Sequence, residues 1–413
     1  MEAVGKSYWR QVTSVFMGAA AAQTVPLAGS LVIARLYAPN EFGLYSTWLG
    51  ISLILTVCVT CRFEHALGLE PDGAPREKLV VSALFLIVAT ALVFLLIATL
   101  LATSGNVPYW KLPAGLTLLL VPMTMGAGFS SVWQSWAANN GDVRSLSYIR
   151  IWLAICVTVL QIVVGWLRPD ATALAAAQVL GTWVAGVISY RRLSIRHGFP
   201  RSASQAYLWI ARSFRRYKRF AMLSLPADLI SAASAQLPVI VLTSRFGPEI
   251  AGFYALAARM MGAPVSTLGG AIRDVFKRFA NEEYRLSGNC RGTYSRTFFL
   301  LLVASVLMVL VLYPFSEDLF SIFFGDNWRM AGTVVTWLLP MFALRFISSP
   351  LSYTFYIVQK QNVDLIWQIC LFSMTVSALT SFDGYKDSLI YYSVGYSVLY
   401  IFYVGLSKKY SKG

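Results

Sequence analysis

Seven charged side chains fall where an otherwise apolar chain offers them little water: Arg35, Arg62, Arg259 and Arg345, with Glu64, Asp228 and Asp364. An ionisable group inside a bilayer is costly and normally faces a bundle interior or a hydrated path. The arginines suit an anionic ligand, because a planar guanidinium forms paired hydrogen bonds to phosphate oxygens. They suit lipid headgroups as well, since Arg35 and Arg62 lie near helix ends from which a long side chain snorkels outward. The carboxylates suit ion coupling or gating. Asp228 is expected to reach the depth of Arg259, as a structural ion pair or a gate, and Glu64 is expected to pair with Arg62. Gln23, Ser30, Trp133, Gln134, Gln236, Tyr254, Tyr353, Tyr356 and Gln368 add polar and aromatic groups fit to line a sugar-sized cavity.

Enzyme chemistry is not in the pattern. The chain has no glycine-rich loop ending in Lys-Ser or Lys-Thr, so ATP hydrolysis is not expected of it. Its two histidines sit at or beyond helix ends. Cys58 and Cys61 form a CxxC with His65 one turn on. A zinc site wants four well-spaced ligands, so this group reads as one face of a helix and all five cysteines as free thiols. No metal and no cofactor is expected.

The elements that carry these residues are spans. Of 413 residues, 57% are hydrophobic and 13% charged, against about 25% charged in soluble domains. A spanning helix needs roughly 20 apolar residues. Twelve apolar blocks fall near 12–36, 43–63, 79–102, 113–137, 147–167 and 171–192, then 219–245, 250–272, 293–315, 328–356, 362–380 and 386–406. The expected fold is an all-α polytopic membrane protein of twelve transmembrane helices. It divides into a six-helix lobe over 1–192, an amphipathic linker over 193–218 and a second six-helix lobe over 219–413, around an alternating-access central cavity.

Of the 34 Lys and Arg residues, 26 fall on the side that holds both termini and the loops after even-numbered spans. The positive-inside rule places that side in the cytoplasm. The net charge of +15 is then topology and headgroup contact, with no nucleic-acid role. In the linker, Tyr207, Ile210, Phe214 and Tyr217 recur at helical spacing among Arg212, Arg215, Arg216 and Lys218. That pattern suits a helix lying in the membrane interface.

The halves repeat. Tyr37-Ala38-Pro39-Asn40-Glu41-Phe42-Gly43-Leu44-Tyr45 matches Phe246-Gly247-Pro248-Glu249-Ile250-Ala251-Gly252-Phe253-Tyr254, and Trp110-Lys111 before Pro122-Met123 matches Trp328-Arg329 before Pro340-Met341. Two parallel six-span repeats are a transporter pattern, with a path between lobes that rock. Pro122 and Pro340 are candidate kinks within equivalent fourth spans.

These motifs, with Arg62-Phe63-Glu64-His65-Ala66 and Phe324-Gly325-Asp326-Asn327-Trp328, make the chain resemble the polysaccharide transporter branch of the multidrug/oligosaccharidyl-lipid/polysaccharide exporter superfamily. The resemblance covers nearly the whole chain. It implies a flippase, not an enzyme, in the bacterial inner membrane. Such a protein moves undecaprenyl-pyrophosphate-linked repeat units to the periplasmic leaflet for O-antigen, lipopolysaccharide or exopolysaccharide synthesis. It also implies a cationic cavity that Arg259, Arg345, Arg35 and Arg62 would serve, and proton or sodium coupling for which Asp228, Glu64 and Asp364 are the candidates. Membrane lipids, the polysaccharide polymerase and the chain-length machinery would be partners. A cation-coupled multidrug exporter of the same superfamily is the alternative.

Overall fold

The computed structural model describes residues 27–71, 73–103, 112–139, 143–191, 202–219, 222 and 224–412. Lys6, Arg10, Gln23, the Trp110-Lys111 anchor and the arginines at 192, 196 and 201 lie outside the described residues. The described chain is all helix. In order the helices are α1 (Leu27–Leu36), α2 (Pro39–Val59), α3 (Ala74–Thr103), α4 (Ala114–Asn139), α5 (Val143–Leu167), α6 (Ala171–Tyr190) and α7 (Ala203–Arg219). There follow α8 (Leu225–Phe246), α9 (Pro248–Ser287), α10 (Arg291–Phe324), α11 (Arg329–Leu351), α12 (Gln361–Thr380) and α13 (Tyr385–Tyr410). Ten of them are long and apolar enough to cross a membrane, so this is a polytopic membrane fold. The short apolar α1 and the forty-residue α9 are not among those ten.

The apolar blocks locate the helices, and their edges differ for physical reasons. Pro39 and Pro248 each open a helix at its first position, where the missing N–H would be unpaired anyway. Ala38 before Pro39 is extended, with ψ 153°, as the proline ring demands. α9 runs well past 272 because Arg273, Lys277, Arg278 and Glu282 continue a helical stripe after the apolar block ends. α8 starts at Leu225, with Ser224 as its N-cap and Pro226 in its first turn. Asp228 therefore sits in the first turn of α8. A start at 219 would put it nine residues in, against three from the described start at Leu225.

Two compact units form. One spans Leu36–Ala251. In it α2 packs on α8, α5 on α6, and α4 on both α3 and α6. Phe63, Leu67, Leu79, Val80, Ile87, Val132, Ala137 and Ile149 make its core, each 2% exposed or less. Gly181 of α6 lets the backbone of α5 come close, since a Cβ there would lie 2.6 Å from the Val157 Cα. A polar pin crosses three helices: the Tyr45 hydroxyl donates to Gln178 Oε1 at 2.8 Å, and Gln161 Nε2 donates to both. Buried amides so satisfied fix register more than they add stability.

The other unit joins Met1–Arg35 to Gly252–Gly413. Here α10 packs on α11, α11 on α13, and α12 on α13. Gly332 of α11 sets the closest approach: a Cβ there would stand 2.5 Å from the Ser316 carbonyl oxygen of α10. The opposite side of α10 exposes Val303, Val306, Leu307, Leu310 and Val311, an apolar stripe that suits lipid.

Candidate functional site

Arg62 follows directly on the end of α2, and its backbone is unusual. Cys61 and Arg62 take φ of 46° and 63°, a left-handed conformation that costs a non-glycine residue roughly 1–2 kcal/mol. That turn swings the chain into the short helix Phe63–Ala66. Arg62 Nη1 lies 3.3 Å from Glu64 Oε1, and Arg62 Nε lies 2.8 Å from Asp228 Oδ2. The Nε–H is not aligned for a hydrogen bond, so the second contact is charge attraction alone. The Glu64 side chain is 4% exposed and its Oε2 has no hydrogen-bond partner, whereas that of Asp228 is 38% exposed. One guanidinium thus faces two carboxylates. The Glu64–Arg62 pair expected from spacing is present. The carboxylate expected to reach Arg259 is instead engaged by Arg62. Arg259 is half-buried in α9 and has contacts of its own.

The linker helix α7 docks beside this turn. Tyr217 donates its hydroxyl to Glu70 Oε1 at 2.7 Å, and Arg216 Nη1 sits 3.1 Å from the same oxygen. Phe214 packs edge-on against Phe63, and Lys78 lies over the Trp209 ring. Burial, together with the hydrogen bond to Glu70, pushes the Tyr217 hydroxyl up to about 12. The face carrying Arg212, Arg215 and Arg216 stays exposed.

In the other unit the expected site residues separate by role. Arg35 donates from Nε to the Phe323 carbonyl at 3.0 Å and from Nη2 to the Ile322 carbonyl at 2.7 Å. It therefore closes the last turn of α10, the capping task a cation suits at a helix C-terminus. Arg345 is exposed on α11 and acts electrostatically on Tyr254 and Tyr400. Among the described residues no carboxylate pairs with it. Asp364, in the first turn of α12, accepts from Tyr403 at 2.7 Å, and from Tyr356 and Gln368 at 3.3 Å each.

Beside Arg345 runs a tyrosine face on α13 that was not singled out among the expected site residues. Tyr392, Tyr396, Tyr400 and Tyr403 are all buried. The Tyr396 hydroxyl meets Thr375 at 2.6 Å, and Trp367 stacks on Tyr403 at 4.4 Å. The spacing of four, four and three was visible in the sequence as a single helical face. Cys58 and Cys61 are free thiols, and among the described residues no group of three metal-ligating side chains comes together.

The arrangement combines apolar spans with a charge cluster at one span end and polar faces along others. Its backbone matches solved transporters. One is an inward-facing multidrug resistance MATE family transporter of the MOP superfamily, with TM-score 0.67 and 12% identity, covering 94% of each chain. Another is the lipid II flippase MurJ in an inward closed conformation, with TM-score 0.74 and 11% identity, covering 96% of this chain and 87% of that one. At those identities the likeness is one of fold alone. By sequence, the chain belongs to a family described as polysaccharide biosynthesis proteins, whose model matches residues 32–332. It is also 23% identical over 163 residues to the teichuronic acid biosynthesis protein TuaB of Bacillus subtilis. That match takes in 39% of this chain and spans about a third (34%) of TuaB.

Proposed function

We propose that the chain is a flippase for undecaprenyl-pyrophosphate-linked oligosaccharide repeat units, carrying them from the cytoplasmic to the periplasmic leaflet for O-antigen, lipopolysaccharide or exopolysaccharide synthesis. One observation carries the reading. Arg345 is an exposed guanidinium on a membrane-spanning helix, flanked by phenols and paired with no described carboxylate. A charge so placed costs about 2.5–3.5 kcal/mol on insertion scales unless an anion answers it. A lipid pyrophosphate is such an anion. Its polyprenyl tail never leaves the bilayer, so only the charged head and the sugars need a hydrated path. A carrier of small organic cations, the other cargo known to this fold, would be opposed by the same charge.

In this reading twelve spans form lobes over 1–192 and 219–413, joined by the linker over 193–218. The basic helix ends and both termini are cytoplasmic in the bacterial inner membrane. Arg259 and Arg62 are further candidates for contact with the cargo's charge, and Arg35 serves the fold. Asp228, Glu64 and Asp364 are the candidates for proton or sodium coupling, with Glu64 favoured by its unpartnered buried oxygen. The polymerase and chain-length machinery would receive the product.

A reconstituted flip assay tests this. Protein goes into liposomes with undecaprenyl-pyrophosphate oligosaccharide in one leaflet, and an impermeant glycan-binding probe reports its appearance in the other. The expected result is ATP-independent crossing that falls at least about tenfold, or about 1.4 kcal/mol, in Arg345→Gln. Crossing at the wild-type rate in that variant overturns the role of Arg345. Failure of wild-type protein to move the lipid, alongside transport of small organic cations in the same vesicles, overturns the flippase reading.

A further inference from the structure

At the end of the second unit where α11 gives way to α12, three kinds of side chain meet. Tyr353 and Tyr356 stack at 5.7 Å with 14° between their planes. Tyr356 is 46% exposed, so one ring of the stack is offered to ligand. Asp364 and Gln368 lie at its edge, joined to it through the Tyr356 hydroxyl and each other. Lys277 of α9 holds its Nζ 5.2 Å from the centre of the Tyr353 ring, and Arg273, one turn earlier, acts electrostatically on Tyr356. Both cations are exposed. The connecting turn is held in shape: Gln359 takes a left-handed φ of 56°, and the Lys360 N–H donates back to the Phe355 carbonyl at 2.7 Å.

We infer that this cluster is a docking site for a saccharide phosphate, gripping the first sugar on Tyr356 and the phosphate on Lys277 and Arg273. The inference rests on the flippase reading and says where that cargo is first recognised. A bare phosphate or a phospholipid headgroup explains only the two cations and leaves the stacked rings, Asp364 and Gln368 unused. A sugar phosphate uses everything present. The apolar face of a pyranose lies on an exposed aromatic ring. Its hydroxyls donate to Asp364, whose Oδ1 receives only the Tyr403 hydroxyl, and accept from the Gln368 amide. Its phosphate answers the ammonium and guanidinium. Asp364 is therefore assigned here to recognition of hydroxyls, through a carboxylate held by three neutral donors.

Binding to the detergent-solubilised full chain, read by native mass spectrometry, tests the assignment with three probes: undecaprenyl pyrophosphate bearing one N-acetylhexosamine, undecaprenyl pyrophosphate alone, and phosphatidylglycerol. The sugar-bearing lipid is expected to bind about tenfold more tightly than the sugar-free one. Tyr356→Ala should erase that preference while leaving sugar-free binding within about twofold, and Tyr356→Phe should retain most of it. Asp364→Asn, which keeps the shape, should reduce the preference as well. Arg273→Gln with Lys277→Gln should weaken both pyrophosphate lipids alike. A preference that survives Tyr356→Ala and Asp364→Asn overturns the site and leaves the flippase reading standing, as does wild-type protein that binds both pyrophosphate lipids equally. Wild-type protein that binds neither better than phosphatidylglycerol overturns both.

Discussion

The Tyr217 hydroxyl reaches Glu70 across 147 positions of sequence, and at 2.7 Å it is the contact that fastens the linker helix α7 to the turn after α2. Removing it with Tyr217→Phe should cost about 1–2 kcal/mol. The helix should remain formed but open more often. Amide hydrogen exchange over 203–219 should quicken several-fold while exchange in α2 stays as it was.

The same contact gives an alkaline signature. The Tyr217 hydroxyl is raised to about 12 in the folded protein, against about 10 in an unfolded chain. Between those values the unfolded state has lost the proton and the folded state keeps it. Docking stability from this group is thus complete below pH 10 and is lost as pH rises through about 12. Hydrogen exchange of α7 should accelerate over that interval in wild type, and Tyr217→Phe should flatten the response.

Replacing Arg62 strands a buried charge. Glu64 is almost wholly enclosed, so Arg62→Gln should destabilise by about 2–4 kcal/mol, somewhat below the range for a fully buried pair because the guanidinium is one-fifth exposed. Asp228→Asn should cost less, about 1 kcal/mol, since that carboxylate is well hydrated. Adding Glu64→Gln to Arg62→Gln should restore part of the loss. Thermal melts of the three purified variants beside wild type in one detergent check the order, and equal melting temperatures for single and double variants would contradict it.

Arg35 and Arg345 should separate in their effects. Arg35→Met removes two carbonyl partners at the end of α10 and should lower stability by about 1–3 kcal/mol, with the flip rate per folded molecule little changed. Arg345→Gln should do the reverse. Measuring melting temperature and flip rate on the same preparations distinguishes a helix-closing arginine from a cargo-facing one.

Gly332→Leu should prevent accumulation of folded protein in the membrane. The backbones of α10 and α11 approach too closely at that point for any Cβ, and overpacking against backbone, unlike against a flexible side chain, finds no relief. Expression with a fluorescent fusion should show loss of the monodisperse peak.

How far the sequence spoke depended on whether a feature was local. Proline at 39 and 248, the apolar blocks and the amphipathic linker pattern are read within a window of residues, and the structure keeps the two proline starts, ten of the spans and the linker helix. The forty residues of α9 exceed its apolar block because helical spacing continues past 272, where apolar content ends. Asp228 shows the non-local limit: its chemistry was recognised, but its partner Arg62 is 166 positions away, and only packing of α8 on α2 brings them together. Arg35 suits cargo or headgroups by its sequence position alone, and its two carbonyl partners lie nearly 290 positions downstream. The tyrosine face of α13 had a plain periodic signal.

Forty residues of α-helix extend about 60 Å, twice the thickness of a bilayer's hydrocarbon core. The portion of α9 from Arg273 onward, with Arg273, Lys277, Arg278, Glu282 and Arg285 all exposed, suits water rather than lipid. Its tip is tied down, because both Glu283 carboxylate oxygens accept the N–H groups of Gly292 and Thr293. A few degrees of tilt in the membrane becomes a displacement of several ångströms at the exposed Leu286. Motion too small to follow among the spans is thus magnified where a spectroscopic label is easiest to place.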